Sequence, residues 1–263
     1  IDGELQDLRV YKGVAKYGDN TNFNRDPAFL CGTTKPYMLP EVPKGTPYPG
    51  TLKKIEGGSV YFNGGNNGVD RLMVPNHSDF DLGTDDWTME CFFYVDENVR
   101  NYGVLFGKNG PNFQISDTSF YMNIGNGGLN KVMFNYVDGT TNANWRGVYG
   151  QNYRLRFYEW NHAAVTKKGT DLKLFVNGNL ESTTIVPAVS AVKTTTSDIS
   201  IGSPYEYVGS TSDYSYRGYI SNVRIVKGTA VYENDFVPTF EPLEAINGTV
   251  LLCCNSSTSP TEA

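Results

Sequence analysis

Residues 160–186 constrain the fold more than any other part of the sequence. Leu172, Leu174 and Val176 recur at every second position, which places them on one face of a predicted strand. Asn177-Gly178 follows, and both residues favour the positive φ angles that a two-residue hairpin turn requires. We therefore predict antiparallel β-structure here, with strands over residues 160–166, 171–176 and 180–186 and a Gly-containing turn over residues 167–170.

The composition extends this prediction to the whole chain. The 263 residues include 18 Tyr, 14 Phe and 28 Gly. Aromatic and β-branched side chains suit a pleated sheet surface, and Gly with Asn beside it favours tight turns. No stretch shows a helical period with caps. The sequence therefore predicts an all-β protein, long enough for one large domain or two small ones.

The charge excludes two classes of partner. The formal net charge is −6, and the longest basic runs are the pairs Lys53-Lys54 and Lys167-Lys168. A nucleic-acid-binding surface or a polybasic membrane patch would need clustered positive charge. The apolar runs are also too short to span a bilayer. We expect neither a nucleic acid nor a membrane as partner.

Proline and small polar residues divide the chain. Five prolines and three glycines fall within residues 31–50, and a segment of this kind favours an extended linker. Residues 253–263 are mostly small and polar, so they are interpreted as a linker or tail. The predicted domain spans residues 51–252 between them.

An internal repeat links the start of the sequence to its end. Residues 3–17 align without gaps to residues 218–232, and both copies continue to a Phe and then to a Pro-x-Phe. The second copy closes the predicted domain. We therefore interpret residues 1–30 as the closing strand of a preceding, truncated repeat. The first residue, Ile1, is neither an initiator Met nor part of a signal-peptide pattern, which favours an internal cut or processing.

A series of short motifs occurs in order between residues 57 and 252. They are Gly58-Ser59-Val60-Tyr61-Phe62-Asn63-Gly64, Asp86-Trp87-Thr88-Met89-Glu90-Cys91-Phe92, Trp160-Asn161-His162-Ala163-Ala164-Val165, Leu172-Lys173-Leu174-Phe175-Val176-Asn177-Gly178, Ile201-Gly202-Ser203 and Gly248-Thr249-Val250-Leu251-Leu252. In this order they resemble the laminin-G-like family of concanavalin A-like domains, in its bacteriophage and bacterial form. The resemblance implies a two-sheet antiparallel jelly-roll sandwich.

The resemblance also implies a setting. Such modules occur in phage tail fibres and capsid decorations, so the first hypothesis is a non-catalytic structural or adhesive module on a virion or extracellular surface. Its partners would be other subunits or domains of the same appendage, including copies of itself in a homo-oligomer. The alternative is a glycan-binding module that attaches a particle or cell to surface polysaccharides. A polysaccharide hydrolase is the remote alternative.

The residues give catalysis little support. A retaining glycosidase needs two carboxylates across a cleft, and the string Glu-x-Asp-x-x-Glu does not occur. Asp86 and Glu90 share a predicted strand face with Thr88, which we interpret as a solvated outer face opposite Trp87, Met89 and Cys91. His162 is interpreted as a hydrogen-bonded structural residue. Trp160, Val165, Leu174 and Phe175 are predicted to supply the core.

Two kinds of binding residue are candidates. Exposed aromatic and Arg side chains could contact sugars or proteins, or pack beneath neighbouring loops; these are Trp145, Arg146, Tyr149, Tyr205, Tyr207, Tyr214 and Tyr216. Calcium prefers oxygen ligands from separate loops, and the resemblance makes such a site an open alternative to ordinary turn residues. The calcium candidates are Asp70, Asp138, Asn142 and Asp213. No other cofactor is expected. The cysteines fit no zinc motif, and Cys91 is predicted to be a buried hydrophobe.

Overall fold

Thirteen β-strands and one short 3-10 turn, Ser78–Phe80, lie in the part of the chain that the structure describes. The structure is a computed structural model, and it describes residues 58–64, 70–95, 103–110, 113–125, 131–140, 144–151, 155–204, 214–239 and 241–256. The strands are β1 (Val60–Asn63), β2 (Leu72–Val74), β3 (Trp87–Tyr94), β4 (Gly103–Lys108), β5 (Phe120–Ile124), β6 (Val132–Asp138), β7 (Asn144–Tyr149), β8 (Trp160–Lys168), β9 (Asp171–Val176), β10 (Asn179–Ile185), β11 (Ile199–Ile201), β12 (Arg217–Lys227) and β13 (Thr249–Cys253).

The strands form two antiparallel sheets. The seven-stranded sheet has the order β1-β12-β3-β8-β9-β10, with β13 also paired to β12. The six-stranded sheet has the order β2-β11-β4-β5-β6-β7. The prediction of an all-β, two-sheet antiparallel sandwich is confirmed. Because β12 pairs with β1, β3 and β13, the last long strand joins the beginning and end of the described chain.

The core lies between the two sheets. Alternate residues of β3, including Trp87, Met89 and Cys91, are completely buried there. The Trp87 ring contacts Phe134 and Tyr136 of the six-stranded sheet, with ring centroids 5.3 and 6.4 Å apart. These contacts hold the faces of the two sheets together, as in other β-sandwiches. The prediction that Cys91 is a buried hydrophobe is confirmed.

The predicted core residues divide between two faces. Val165 and Leu174 lie in the core between the sheets, as predicted. The prediction was wrong for Trp160 and Phe175. Because neighbouring strand residues point to opposite faces, Phe175 lies on the outer face of the seven-stranded sheet, next to Ala164. Trp160 is half-buried on the same outer face.

The hairpin at Asn177-Gly178 forms as predicted. The φ angles of these residues are +51° and +80°, which is the left-handed region that a type I′ turn uses at both positions. The turn sets the register of β9 and β10, in which Val176 faces Asn179. Leu172, Leu174 and Val176 all reach the core.

Gly178→Ala is expected to destabilise the protein more than Gly169→Ala does. Both glycines have positive φ, at +80° and +55°, so each substitution strains the backbone by about 1 kcal/mol. A Cβ at Gly178 would also lie 1.9 Å from the Phe236 carbonyl oxygen, whereas a Cβ at Gly169 meets nothing within 4 Å. Urea denaturation of the two variants measures the difference. Equal losses would show that the close approach at Gly178 does not matter.

Residues 229–239 cover part of the outer face of the seven-stranded sheet; we call this segment the strap. Tyr232 and Phe236 of the strap stack on each other, with centroids 3.7 Å apart and planes 7° apart. Phe236 packs on Ala164 and Phe175 of the sheet. Strap backbone groups also form hydrogen bonds with side chains of Thr88, Thr166 and Lys173 and with the backbone of Gly178.

The strap explains why one prediction for β3 was wrong. Thr88 and Glu90 do lie opposite the core residues of β3, but both are completely buried instead of solvated. The chain after β12 folds back over them, which the alternation within β3 does not reveal. The other residue predicted for this face, Asp86, precedes the strand and accepts a 2.8 Å hydrogen bond from the Gly169 N–H.

Several predictions concern residues outside the described part of the chain. These are the closing strand at residues 1–30, the linker at residues 31–50, most of the tail from residue 253, and Cys31. Cys253 and Cys254, like Cys91, are buried. Where the chain is described, it contains no helix long and apolar enough to cross a membrane.

Candidate functional site

The outer face of the six-stranded sheet combines exposed rings with buried polar side chains. On β5 and β6 the core residues alternate with Tyr121, Asn123 and Asn135, which therefore point away from the core. On β7 only Val148 belongs to the core, and Trp145 and Tyr149 lie on the opposite face. The register places Asn135 directly between Tyr121 of β5 and Gly147 of β7.

Aromatic side chains form a connected series on this face. Tyr121 packs against Trp145, with centroids 5.7 Å apart, and against Phe113, with centroids 4.8 Å apart. Phe113 in turn packs against Tyr214 at 5.3 Å. Trp145 and Tyr149 keep 40% and 45% of their surface exposed. We call these residues, namely Phe113, Tyr121, Trp145, Tyr149 and Tyr214, the aromatic face.

Two glycines let the polar and aromatic side chains lie close to the sheet. A Cβ at Gly147 would lie 2.6 Å from the Asn135 Oδ1 atom and 2.7 Å from the Tyr149 hydroxyl. The Tyr149 hydroxyl donates a 2.8 Å hydrogen bond to that same Oδ1 atom. Burial raises the pKa of Tyr149, so the hydroxyl keeps its proton and remains a donor. At Gly107, a Cβ would lie 2.7 Å from the Tyr121 Cβ.

Asn123 is the unusual residue of this face. It lies two positions after Tyr121 on β5 and is completely buried. Neither its Nδ2 nor its Oδ1 atom has a hydrogen-bond partner. Burying an amide without partners costs about 1–3 kcal/mol. Because Asn123 is completely buried, its amide offers no surface to a ligand on this face.

The structure brings some of the sequence candidates together and separates others. Trp145, Tyr149 and Tyr214 lie on the aromatic face. Tyr216 does not: it is buried in the core, and its hydroxyl donates a 2.7 Å hydrogen bond to the Tyr94 carbonyl, so the prediction of a contact residue was wrong. Tyr205, Tyr207, Asn142 and Asp213 lie outside the described residues.

Arg146 and Asp138 form a structural pair instead of binding sites. Arg146 lies on β7 between residues of the aromatic face, so it points to the opposite side of the sheet, where its Nε donates to Asp138 Oδ2 at 3.3 Å. Asp138 ends β6 and is buried, which corrects the prediction that it is a loop residue. Its carboxylate also accepts hydrogen bonds from Thr140 and Ser190. Burial raises the pKa of Asp138, but these bonds outweigh burial and leave the pKa below its usual value.

The remaining calcium candidate is not surrounded by other acidic ligands. The Asp70 carboxylate accepts a hydrogen bond from the Asn63 backbone N–H. Across the described ranges, no group of three or more His, Cys, Asp or Glu side chains is placed to hold a metal ion. A calcium site that depends mainly on backbone or amide oxygens stays a hypothesis.

Glu90 occupies a sealed position beneath the strap. Its Oε1 accepts two hydrogen bonds from Arg224, at 2.8 and 2.6 Å, and its Oε2 accepts one from the Tyr232 hydroxyl at 2.8 Å. His162 Nε2 lies 3.0 Å from the same Oε2, which agrees with the hydrogen-bonded role predicted for His162. Every lone-pair direction of the carboxylate is therefore used, and Glu90 has no surface to offer a substrate.

Sequence reasoning missed two rings of the aromatic face, Phe113 and Tyr121, and two polar residues on the same side of the sheet, Asn123 and Asn135. Phe113, Tyr121, Asn123 and Asn135 belong to β5, β6 and the loop before β5, which carry no local cluster of unusual composition. The available signal was the alternation in residues 120–124 and 132–138. This alternation assigns the residues of each strand to two faces, but it does not show which face packs against the other sheet.

Comparison with known proteins agrees with this architecture. The family model described as the concanavalin A-like lectin/glucanases superfamily matches residues 58–231. No curated protein sequence matches the chain.

Two solved structures at low sequence identity share the fold, and a third has a lower TM-score. A putative carbohydrate binding protein from Bacteroides ovatus is 16% identical with a TM-score of 0.53, over 75% of this chain and 51% of that one. The CBM40 of the Ruminococcus gnavus IT-sialidase, bound to α2,3 sialyllactose, is 17% identical with a TM-score of 0.50, over 70% of this chain and 95% of that one. Domains LG4-5 of the mouse laminin α1 chain are 18% identical with a TM-score of 0.46, over 70% and 47%.

The chain thus spans about half the length of the first of these structures. None of these likenesses tests the bacteriophage setting, which stays a prediction from the sequence.

Proposed function

This chain belongs to the concanavalin A-like lectin/glucanases superfamily over residues 58–231, and we propose that it is a non-catalytic glycan-binding module. The observation that carries the proposal is the aromatic face, where the exposed rings of Trp145 and Tyr149 lie beside the Tyr149 hydroxyl and the Asn135 amide with which it forms a hydrogen bond. Sugars have apolar ring faces that stack on aromatic side chains and hydroxyl groups that need donors and acceptors. The aromatic face offers both.

The hydrolase alternative loses support because Glu90 is not available as a catalytic carboxylate. Of the two carboxylates nearest to a glycosidase pattern, Glu90 is bound by Arg224, Tyr232 and His162 beneath the strap. It also lies on the seven-stranded sheet, whereas the aromatic face lies on the six-stranded sheet. The two features therefore cannot act on one substrate.

The sequence repeat supports a place for the module within a larger protein. Arg224 and Tyr232, which both bind Glu90, are repeated as Arg9 and Tyr17 at the same spacing. Both copies of the repeat therefore contain the Arg and the Tyr that, in the second copy, connect β12 and the strap to Glu90. Residues 1–30 would then close a preceding copy, with residues 31–50 as a linker to the module at 51–252. A surface or virion appendage of tandem copies remains part of this proposal.

A glycan array tests the proposal, with the wild-type protein compared with Trp145→Ala. We expect the wild-type protein to bind a defined class of glycan, and we expect Trp145→Ala to weaken that binding at least tenfold, because an exposed ring that stacks on a sugar is lost. Trp145 is 40% exposed, so the variant should keep its fold and melting temperature. Unchanged glycan binding by Trp145→Ala would contradict the assignment of the aromatic face.

A further inference from the structure

The outer face of the seven-stranded sheet carries a second row of rings. The register places Tyr61 of β1 opposite Tyr219 of β12, Tyr219 opposite Tyr94 of β3, and Tyr94 opposite Trp160 of β8. Each of four neighbouring strands thus contributes one aromatic side chain to a single line. The successive ring centroids are 4.9, 6.0 and 5.8 Å apart. We call these four residues the aromatic row.

The aromatic row faces away from the core. The residues next to it along the strands, including Phe62, Phe93 and Ile220, belong to the core between the sheets. Tyr61 and Tyr219 are 43% and 39% exposed, while Tyr94 and Trp160 are half-buried. The two exposed rings of the row, Tyr61 and Tyr219, contribute little to the core between the sheets.

The strap covers a different part of this outer face from the aromatic row. It contacts Thr88, Glu90, His162, Ala164, Thr166, Lys168, Lys173, Phe175, Gly178 and Leu180. His162, on which the strap rings Tyr232 and Phe236 pack, stands next to Phe92 and Ser221, and all three are buried. The strap therefore reaches as far as His162, and the aromatic row is formed by the next outward-facing residues along the strands.

The shape and surroundings of the aromatic row favour a glycan chain over a protein as its occupant. The row is one residue wide and crosses four strands, which corresponds to roughly 14 Å at the usual strand spacing. The next pair along the strands on the open side is polar: Asn63 of β1 stands opposite Arg217 of β12. A stable protein interface needs a broad apolar centre of several hundred Å², which a single row does not supply.

We propose that the aromatic row is a second glycan-binding site, on the opposite side of the sandwich from the aromatic face. A glycan would run across β1, β12, β3 and β8, stacking its rings on the row, with its hydroxyl groups toward Asn63 and Arg217. Two sites on opposite faces would let one module bridge two glycan chains or bind a polysaccharide with higher avidity. The proposal uses different residues and a different sheet from the first site, so each can fail alone.

Tyr219→Ala tests the second site on the same glycan array. We expect Tyr219→Ala to weaken, at least tenfold, binding to glycans that Trp145→Ala still binds. Tyr61→Ala, on the edge strand β1, is expected to have the same effect. Because Tyr61 lies on a different strand from Tyr219, agreement between the two variants would exclude a folding defect in β12 as the cause. Melting temperatures of both variants should stay close to that of the wild-type protein, because both side chains are substantially exposed.

The possible outcomes separate the two sites. If Tyr219→Ala and Tyr61→Ala match the wild-type protein on every glycan while Trp145→Ala loses binding, the second site is overturned and the first stands. If the wild-type protein binds no glycan, both are overturned. Light scattering measures a third outcome, which is self-association of the protein. If Tyr219→Ala abolishes self-association and leaves glycan binding unchanged, the row joins copies of the chain, and the glycan assignment is overturned.

Discussion

Glu90→Gln is expected to lower the free energy of unfolding by about 3–5 kcal/mol, because it removes one partner of a buried ion pair. Arg224 is almost completely buried, and its Nε and Nη2 atoms both donate to Glu90 Oε1. A glutamine would leave the guanidinium charge without its counter-ion. It would also place an amide donor among groups that are themselves donors. Chemical denaturation of the wild-type protein and the variant measures the loss.

The matched control is Glu233→Gln. Glu233 also forms an ion pair, with Lys168, but their side chains are 48% and 54% exposed. Solvent-exposed pairs contribute about 0–1 kcal/mol, so this variant should be close to the wild-type protein. Equal losses for the two variants would show that the position beneath the strap does not strengthen the Glu90 pair.

The effect of Glu90→Gln should depend on pH in one direction. Burial raises the pKa of Glu90, but the hydrogen bond and charge of His162, together with the charge of Arg224, outweigh burial and leave the pKa below its ordinary value. A carboxyl group with a lowered pKa stabilises the folded state fully above the pKa of the unfolded chain. That contribution is lost as the pH falls through the lowered pKa. The difference between the wild-type protein and Glu90→Gln should therefore shrink toward acid pH.

Asn123→Leu is expected to leave the protein as stable as the wild type or to stabilise it by about 1 kcal/mol. Leucine has the same number of side-chain heavy atoms as asparagine. It removes two buried polar atoms that have no partners, so their desolvation no longer opposes folding. Chemical denaturation of the wild-type protein and the variant measures the effect.

Asn161→Leu is the matched control for this substitution. Asn161 is equally buried, but its Nδ2 donates to the carbonyls of Arg156 and Glu159, and its Oδ1 accepts from the Arg156 N–H. Its replacement leaves those groups unpaired and should cost about 3 kcal/mol. A loss of that size with Asn123→Leu would show that the Asn123 amide supports the fold.

Predictions from the sequence were most accurate for features that depend on residues close together in the chain. The turn at Asn177-Gly178 depends on two residues and their positive φ angles, and it was predicted at the right place. Trp145 and Tyr149 were chosen as candidates because both stand in a short segment that combines aromatic and Arg side chains. In each case the relevant physics lies within about ten residues of chain.

The failures concern contacts between distant parts of the chain. Glu90 was predicted to be solvated, but it is buried beneath Tyr232, which lies 142 positions later in the sequence. Tyr216 was grouped with Tyr214, but its hydroxyl reaches the carbonyl of Tyr94, 122 positions earlier. Asn123 could not be identified at all, because its sequence neighbours do not reveal that it lacks hydrogen-bond partners.

The most direct test of glycan binding at the aromatic face follows the tryptophan indole N–H signals by NMR as the best array ligand is added. The three tryptophans report on three places: Trp87 in the core, Trp145 on the aromatic face and Trp160 in the aromatic row. We expect the Trp145 signal to shift and saturate with ligand while the Trp87 signal stays in place. Saturable binding that leaves the Trp145 signal unmoved would contradict the assignment of the aromatic face as a glycan site.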